Sequence, residues 1–218
     1  IYSDKAHSLD ISDVLNTEEF QEIYTHSTES PSSPLMFRSF VLHFPLVCTG
    51  LKPGLRMRFL NANPQNIIRL FTELGFSVKY NIPQSSDAEY SIDLYVTTVE
   101  NESLLDNVTY GAEDMSYGKF LGVPYPDCTW FVNYSGDITE ELPIPSYTPG
   151  EWSDDKIKFA RLVPWICKPT IDSLERTIAI GKRWYNFAIT LDQEYNYTYA
   201  RKFCEKRFLH TTHATYCV

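Results

Sequence analysis

The chain has 218 residues, a net charge of -9 and an isoelectric point near 5.0, with 43% apolar, 15% aromatic and 22% charged residues. That apolar content builds a sizeable core and excludes disorder for the bulk of the chain. Nucleic-acid backbone requires a basic face, so the acidic balance argues against general nucleic-acid binding without excluding a local basic patch, and no apolar run reaches the ~18 residues that span a membrane.

Five cysteines stand far apart, at Cys48, Cys128, Cys167, Cys204 and Cys217. An odd count with no C-x-x-C pair does not read as a disulfide framework. Reduced thiols and a cytoplasmic protein are the expectation. Four N-x-S/T sequons, at Asn101, Asn107, Asn133 and Asn196, raise the alternative of a secreted or surface glycoprotein. The chain begins at Ile1 without a signal-peptide pattern in its first residues.

Residues 1–34 read as a polar arm with a short helix at Asn16–Tyr24, ending in the loop S-T-E-S-P-S-S-P. The rest, 35–218, reads as one α+β domain. Met36–Val47 is rich in β-formers and is expected as a strand that Pro45 ends or places at an edge. Lys52-Pro53-Gly54 is a turn, and Leu55–Leu60 a second short strand. Asn63-Pro64 starts a helix, because Asn caps free N–H groups and Pro needs no partner at the first position. Ile67, Ile68, Phe71 and Leu74 form its apolar face, and Gly75 stops it. Phe76–Tyr80 follows as a strand. Ile92, Leu94 and Val96 alternate with Asp93, Tyr95 and Thr97, the pattern of a half-buried strand.

Residues 100–121 read as one or two helices punctuated by Gly118 and Gly122. Thr129–Tyr134 is expected as a strand, and Glu140–Gly150, with three prolines, as an extended crossing segment. Beyond it the chain is helical. Ser153 caps a helix that Pro164 ends. Thr170 caps a longer helix with Ile171, Leu174, Ile178, Trp184 and Phe187 on one side. Tyr195–Leu209 is the last. The expected fold is therefore α+β, with a mixed sheet of four to five strands and a helical C-terminal third (151–210).

Chemistry concentrates at Lys119–Trp130, which reads K-F-L-G-V-P-Y-P-D-C-T-W. Pro124 and Pro126 bracket Tyr125 and fix φ twice, so a rigid turn presents Asp127 and Cys128 just before a strand. Cys128 and Asp127 are the candidate catalytic pair, with Tyr125 and Lys119 as ligand-binding neighbours. A thiolate needs a nearby cation or helix N-terminus, and Lys119 is close in sequence. Asp127 acts in the opposite sense and would raise the thiol pKa. The competing reading makes Cys128 a small buried hydrophobe.

This stretch resembles a family of uncharacterised archaeal proteins with an L-G-Y-P-x-C-C signature preceded by a helix-strand-strand region. Leu121-Gly122 matches its start and Tyr125-Pro126-Asp127-Cys128 its Y-P-x-C. The similarity extends over residues 64–132. Val123-Pro124 is extra, and Thr129 replaces the second cysteine, so a paired-thiol role for disulfide or metal is not implied. No activity is implied either.

Arg56 and Arg58, two apart after the turn at Lys52, form a candidate anion site if they share a strand face; a solvated face is the bland alternative. Arg201, Lys202, Lys206, Arg207 and His210 make the last helix basic, which suits an acidic partner or simply the helix dipole. His210, His213 and Cys217 have zinc-like spacing but no fourth ligand, so no metal is expected. No P-loop, G-x-G-x-x-G, G-x-S-x-G or H-E-x-x-H occurs, and no cofactor is expected. The leading expectation is a non-enzymatic interaction or assembly protein, with a protein partner or self-association. The alternative is a small-ligand domain or enzyme whose pocket lies at 119–130 around Cys128.

Overall fold

In the computed structural model the described residues are 11–22, 40–60, 64–81, 91–106, 108, 115–133, 157–163 and 170–209. The chain separates into two compact units, Ile1–Gly122 and Val123–Val218. Most of the expected arm lies outside the described residues, as do Glu140–Gly150, Ser153, Pro164, Cys167, His210, His213 and Cys217.

The first unit is α+β. Its elements are α1 (Ile11–Leu15), α2 (Phe40–Cys48), β1 (Gly54–Leu60), α3 (Pro64–Glu73), β2 (Phe76–Asn81), β3 (Ser91–Thr98), a 3-10 helix (Val99–Leu105) and α4 (Met115–Leu121). A further helical turn at 18–22 follows α1, and its start is capped by Thr17, whose Oγ1 accepts the Phe20 N–H at 3.1 Å.

The expected mixed sheet of four to five strands is corrected. Among the described residues there is one three-stranded antiparallel sheet in the order β1-β3-β2. Two expected strands are helices. Met36–Val47 falls largely on α2, whose nine residues are all buried, Pro45 included. A short run that is apolar throughout carries neither the period of a helix nor that of a strand, so composition misled. The described part of the expected strand Thr129–Tyr134, up to Asn133, falls on α5 of the second unit, described below.

The helix-strand-strand reading of 63–98 is found as expected. Pro64 opens α3, and Gly75, at φ +82°, stops it in the left-handed conformation that glycine adopts without strain. Register then sorts the sheet. Leu55 opposes Val96 and Met57 opposes Leu94 across β1 and β3, while Val78 opposes Val96 across β2 and β3. These residues share one face with Phe76, which meets Phe44 of α2 and Phe71 of α3 at centroid distances of 5.1 and 6.4 Å. Phe20, Phe40 and Phe44 stack beyond them at 5.1 to 5.9 Å. Burial of several such rings is the chief apolar stabilisation of this unit.

The opposite face carries Arg56, Asp93, Tyr95, Thr97 and Lys79. It was expected to be solvated, but α4 and the 3-10 helix cover it. Tyr95, Leu105, Val108 and Phe120 form a second buried cluster there. Phe120 lies so close to β1 that a Cβ on Gly54 would collide with its ring. β3 is therefore buried on both faces rather than half-buried.

The second unit is helical among its described residues, with α5 (Tyr125–Asn133), a 3-10 turn (Lys158–Leu162), α6 (Ile171–Tyr195) and α7 (Thr198–Phe208). Thr170 caps α6 as expected, its hydroxyl accepting the Ser173 N–H. The buried stripe of α6 is Leu174, Thr177, Gly181, Trp184, Ala188 and Leu191, spaced three and four apart. Ile171 is more than half exposed at 54%. The 3-10 turn crosses α6 at Gly181, where a Cβ would meet the Phe159 carbonyl oxygen. Phe159, Tyr185 and Phe208 close that junction with centroid distances of 5.1 to 5.8 Å.

Candidate functional site

The polar face of the sheet holds the first group of candidate side chains. Arg56 reaches across the β1–β3 pairing, and its guanidinium donates to Asp93 Oδ1 at 3.1 Å and to the Tyr117 hydroxyl at 3.4 Å. Asp93 is wholly buried. Burial alone would pull the Arg56 pKa down, but Tyr117 and Asp93 outweigh it and hold the group above its ordinary value. Arg58 lies two residues further along β1, opposite Asp93 in the register. Lys79 of β2, on the same face, donates to the carbonyl oxygens of Leu105 and Asp106 at 2.9 and 3.2 Å. Arg56 is thus committed to an internal ion pair and does not offer the open two-arginine fork that the spacing suggested.

Lys52 is the residue that sequence reasoning missed. It was read as part of a turn, yet it is only 1% exposed. The chain folds back over the end of α2, with the Lys52 N–H on the Leu46 carbonyl at 3.0 Å. The next residue, Pro53, accepts the Thr97 hydroxyl at 2.6 Å. Gly122, at φ +81°, closes over this corner. A Cβ there would lie 2.9 Å from Pro53 Cδ and 3.9 Å from Lys52 Cγ. No carboxylate faces the Lys52 amine among the described residues, and burial pushes its pKa down to about 7.

The second unit holds the expected catalytic pair. The rigid turn before a strand is corrected: Tyr125–Asn133 is α5. Its prolines occupy the entry, where an N–H has no intrahelical partner, so both are tolerated. The Pro124 carbonyl accepts the N–H groups of Asp127 and Cys128 at 2.9 and 3.0 Å. Asp127 is wholly buried, with Arg176 of α6 at 3.8 Å. The Cys128 thiol is buried and donates to the Val123 carbonyl at 3.5 Å. Tyr125 is 65% exposed. Lys119 is exposed on α4 of the first unit. The boundary between the units thus falls inside the stretch 119–130.

The other described thiols are poor nucleophiles. Burial pushes Cys48 far up, and burial with Glu205 nearby pushes Cys204 up to about 12. Among the described residues no group of three or more His, Cys, Asp or Glu is placed to hold a metal ion. No described helix is long and apolar enough to cross a membrane.

An aromatic turn joins α6 to α7. Asn196, at φ 54°, ends α6, and its N–H bonds to the Leu191 carbonyl. Tyr197 packs inward, and its ring lies 5.4 Å from that of Tyr199. Tyr195 and Tyr199 are exposed at 38% and 48%. Of the sequons, Asn196 is exposed at this turn, Asn133 donates to the Thr129 carbonyl, Asn101 donates to the Thr98 hydroxyl, and Asn107 is outside the described residues. The basic last helix is partly neutralised internally: Arg201 pairs with Asp192 at 2.6 Å and Glu205 at 3.4 Å. Compared with known protein families, curated proteins and solved structures, the chain matches none.

Proposed function

We propose that the chain is a non-enzymatic interaction or assembly protein that presents the aromatic turn between α6 and α7. The observation that carries this reading is the exposure of Tyr195 and Tyr199 beside the inward Tyr197. Tyrosine rings offer large contact area at low conformational cost and are enriched at protein interfaces. The partner is another protein or a second copy. Light scattering over a concentration series tests self-association. The mass should rise for the wild type and stay monomeric for Tyr195→Ser/Tyr199→Ser. A wild type that is monomeric throughout removes the second copy as partner.

A second reading is a small-ligand domain or enzyme built around Cys128, whose thiol is buried against the Val123 carbonyl. Iodoacetamide labelling at neutral pH discriminates, because a working thiolate alkylates faster than the denatured chain. We place the protein in the cytoplasm. A glycosidase-sensitive mass on the native protein would move it to the secretory route.

A further inference from the structure

In a chain of net charge -9, α7 and the 3-10 turn beside it carry Lys158, Arg161, Arg201, Lys202, Lys206 and Arg207 against Glu205 as their one acid. The helix dipole favours base in a last turn, which accounts for Lys206 and Arg207 alone. Several of these cations are spent inside the unit. Arg161 and Arg207 donate to the main-chain carbonyls of Phe208 and Arg161 at 2.8 and 3.3 Å. Arg201 holds the carboxylates of Asp192 and Glu205. Lys202 and Lys206, both exposed, therefore set the sign of the outer face of α7. Tyr199, Lys202, Lys206 and Leu209 are three and four residues apart and share that face, with Leu209 80% exposed. A lone exposed leucine means little. This one ends a lysine stripe that runs on from the aromatic turn.

The first unit presents the complement. Its 3-10 helix, Val99–Leu105, carries Glu100 and Glu102 and no base. Both glutamates are exposed, and Val99 is exposed at 58%. Residues three apart eclipse in a 3-10 helix, so Val99 and Glu102 share a face. Lys206 and Leu209 are likewise three apart on α7. The Lys79 ammonium, donating to the Leu105 and Asp106 carbonyls, holds the 3-10 helix in place.

We propose that the partner at the aromatic turn is a second copy of the chain, which lays its acidic 3-10 helix along the exposed stripe of α7. This rests on the reading of that turn as an interaction surface. Leu209 of one copy covers Val99 of the other and Lys206 meets Glu102, with Lys202 and Glu100 strengthening the opposed fields around them. Exposed charge pairs add little affinity but decide which faces meet, and the covered apolar groups supply the rest. Two different faces meet, so association does not stop at a symmetric dimer.

The test is sedimentation equilibrium on the full chain. The wild-type mass should rise with concentration at low salt and fall back toward monomer at high salt. Lys202→Glu/Lys206→Glu and Glu100→Lys/Glu102→Lys, each checked for folding by circular dichroism, should each associate about a hundredfold more weakly, because like charges then face each other. An equimolar mixture of the two variants should recover association, since each supplies the charge the other needs. A mixture that stays monomeric, or single variants that associate like the wild type, would overturn the pairing of these faces. If Tyr195→Ser/Tyr199→Ser still abolishes association in that case, the aromatic turn stands as an interface without it. A wild type monomeric throughout overturns the second copy and leaves the turn to a different protein.

Discussion

At the scale of single residues, the buried polar groups of the first unit set the sharpest expectations. Lys52 keeps its proton to the ordinary 10.5 when unfolded but only to about 7 when folded. Between those values the unfolded chain binds more protons, so stability should rise with pH from about 7 to 10.5 and be lowest below 7. The gap corresponds to roughly 5 kcal/mol at most. Lys52→Met should remove the slope and stabilise the protein by a few kcal/mol below pH 7, which urea titrations at pH 6, 7.5 and 9 would show. The Arg56–Asp93 pair predicts the opposite kind of result. Asp93→Ala strands a half-buried guanidinium and should cost about 3–5 kcal/mol, while the double change Arg56→Met/Asp93→Leu should recover much of it. Both residues were visible in the sequence only as charges. Asp93 sat at an outward position of an alternating strand, and nothing local announced that α4 would cover that face.

Element by element, legibility followed punctuation. Pro64 and Gly75 bracketed α3, Thr170 announced α6, and the alternation of Ile92, Leu94 and Val96 marked β3. These signals are local chemistry, so they survive folding. The failures share a cause. α2 is a run of buried apolar residues with no period to read. α5 is entered through Pro124 and has Pro126 as its second residue; prolines break a helix interior but are harmless at its entry and first turn. In α6 the packing stripe runs through Thr177, Gly181 and Ala188, small residues that an apolar count passes over. Gly181 matters because the 3-10 turn lies on it. Gly181→Ala, which in an exposed helix would stabilise by about 1 kcal/mol, should here destabilise by about 1–3 kcal/mol through overpacking against the Phe159 carbonyl. The midpoint of thermal or urea unfolding would check the sign.

For the molecule as a whole, the two units divide the chromophores. All four tryptophans, Trp130, Trp152, Trp165 and Trp184, belong to residues 123–218, and the described sheet belongs to residues 1–122. Each unit has its own buried core, so unfolding should not be a single two-state step. Tryptophan emission should report the second unit and the far-ultraviolet strand signal the first, with different urea midpoints. Coincident curves would show one cooperative system instead. A last consequence concerns β3, which lies between β1 and β2 and is covered on both faces. Its amides are tied into ladders that open only when the layers above and below are lost. In deuterated water, Ile92 to Val96 should be among the last protons of the first unit to exchange, the clock by which its global opening is timed.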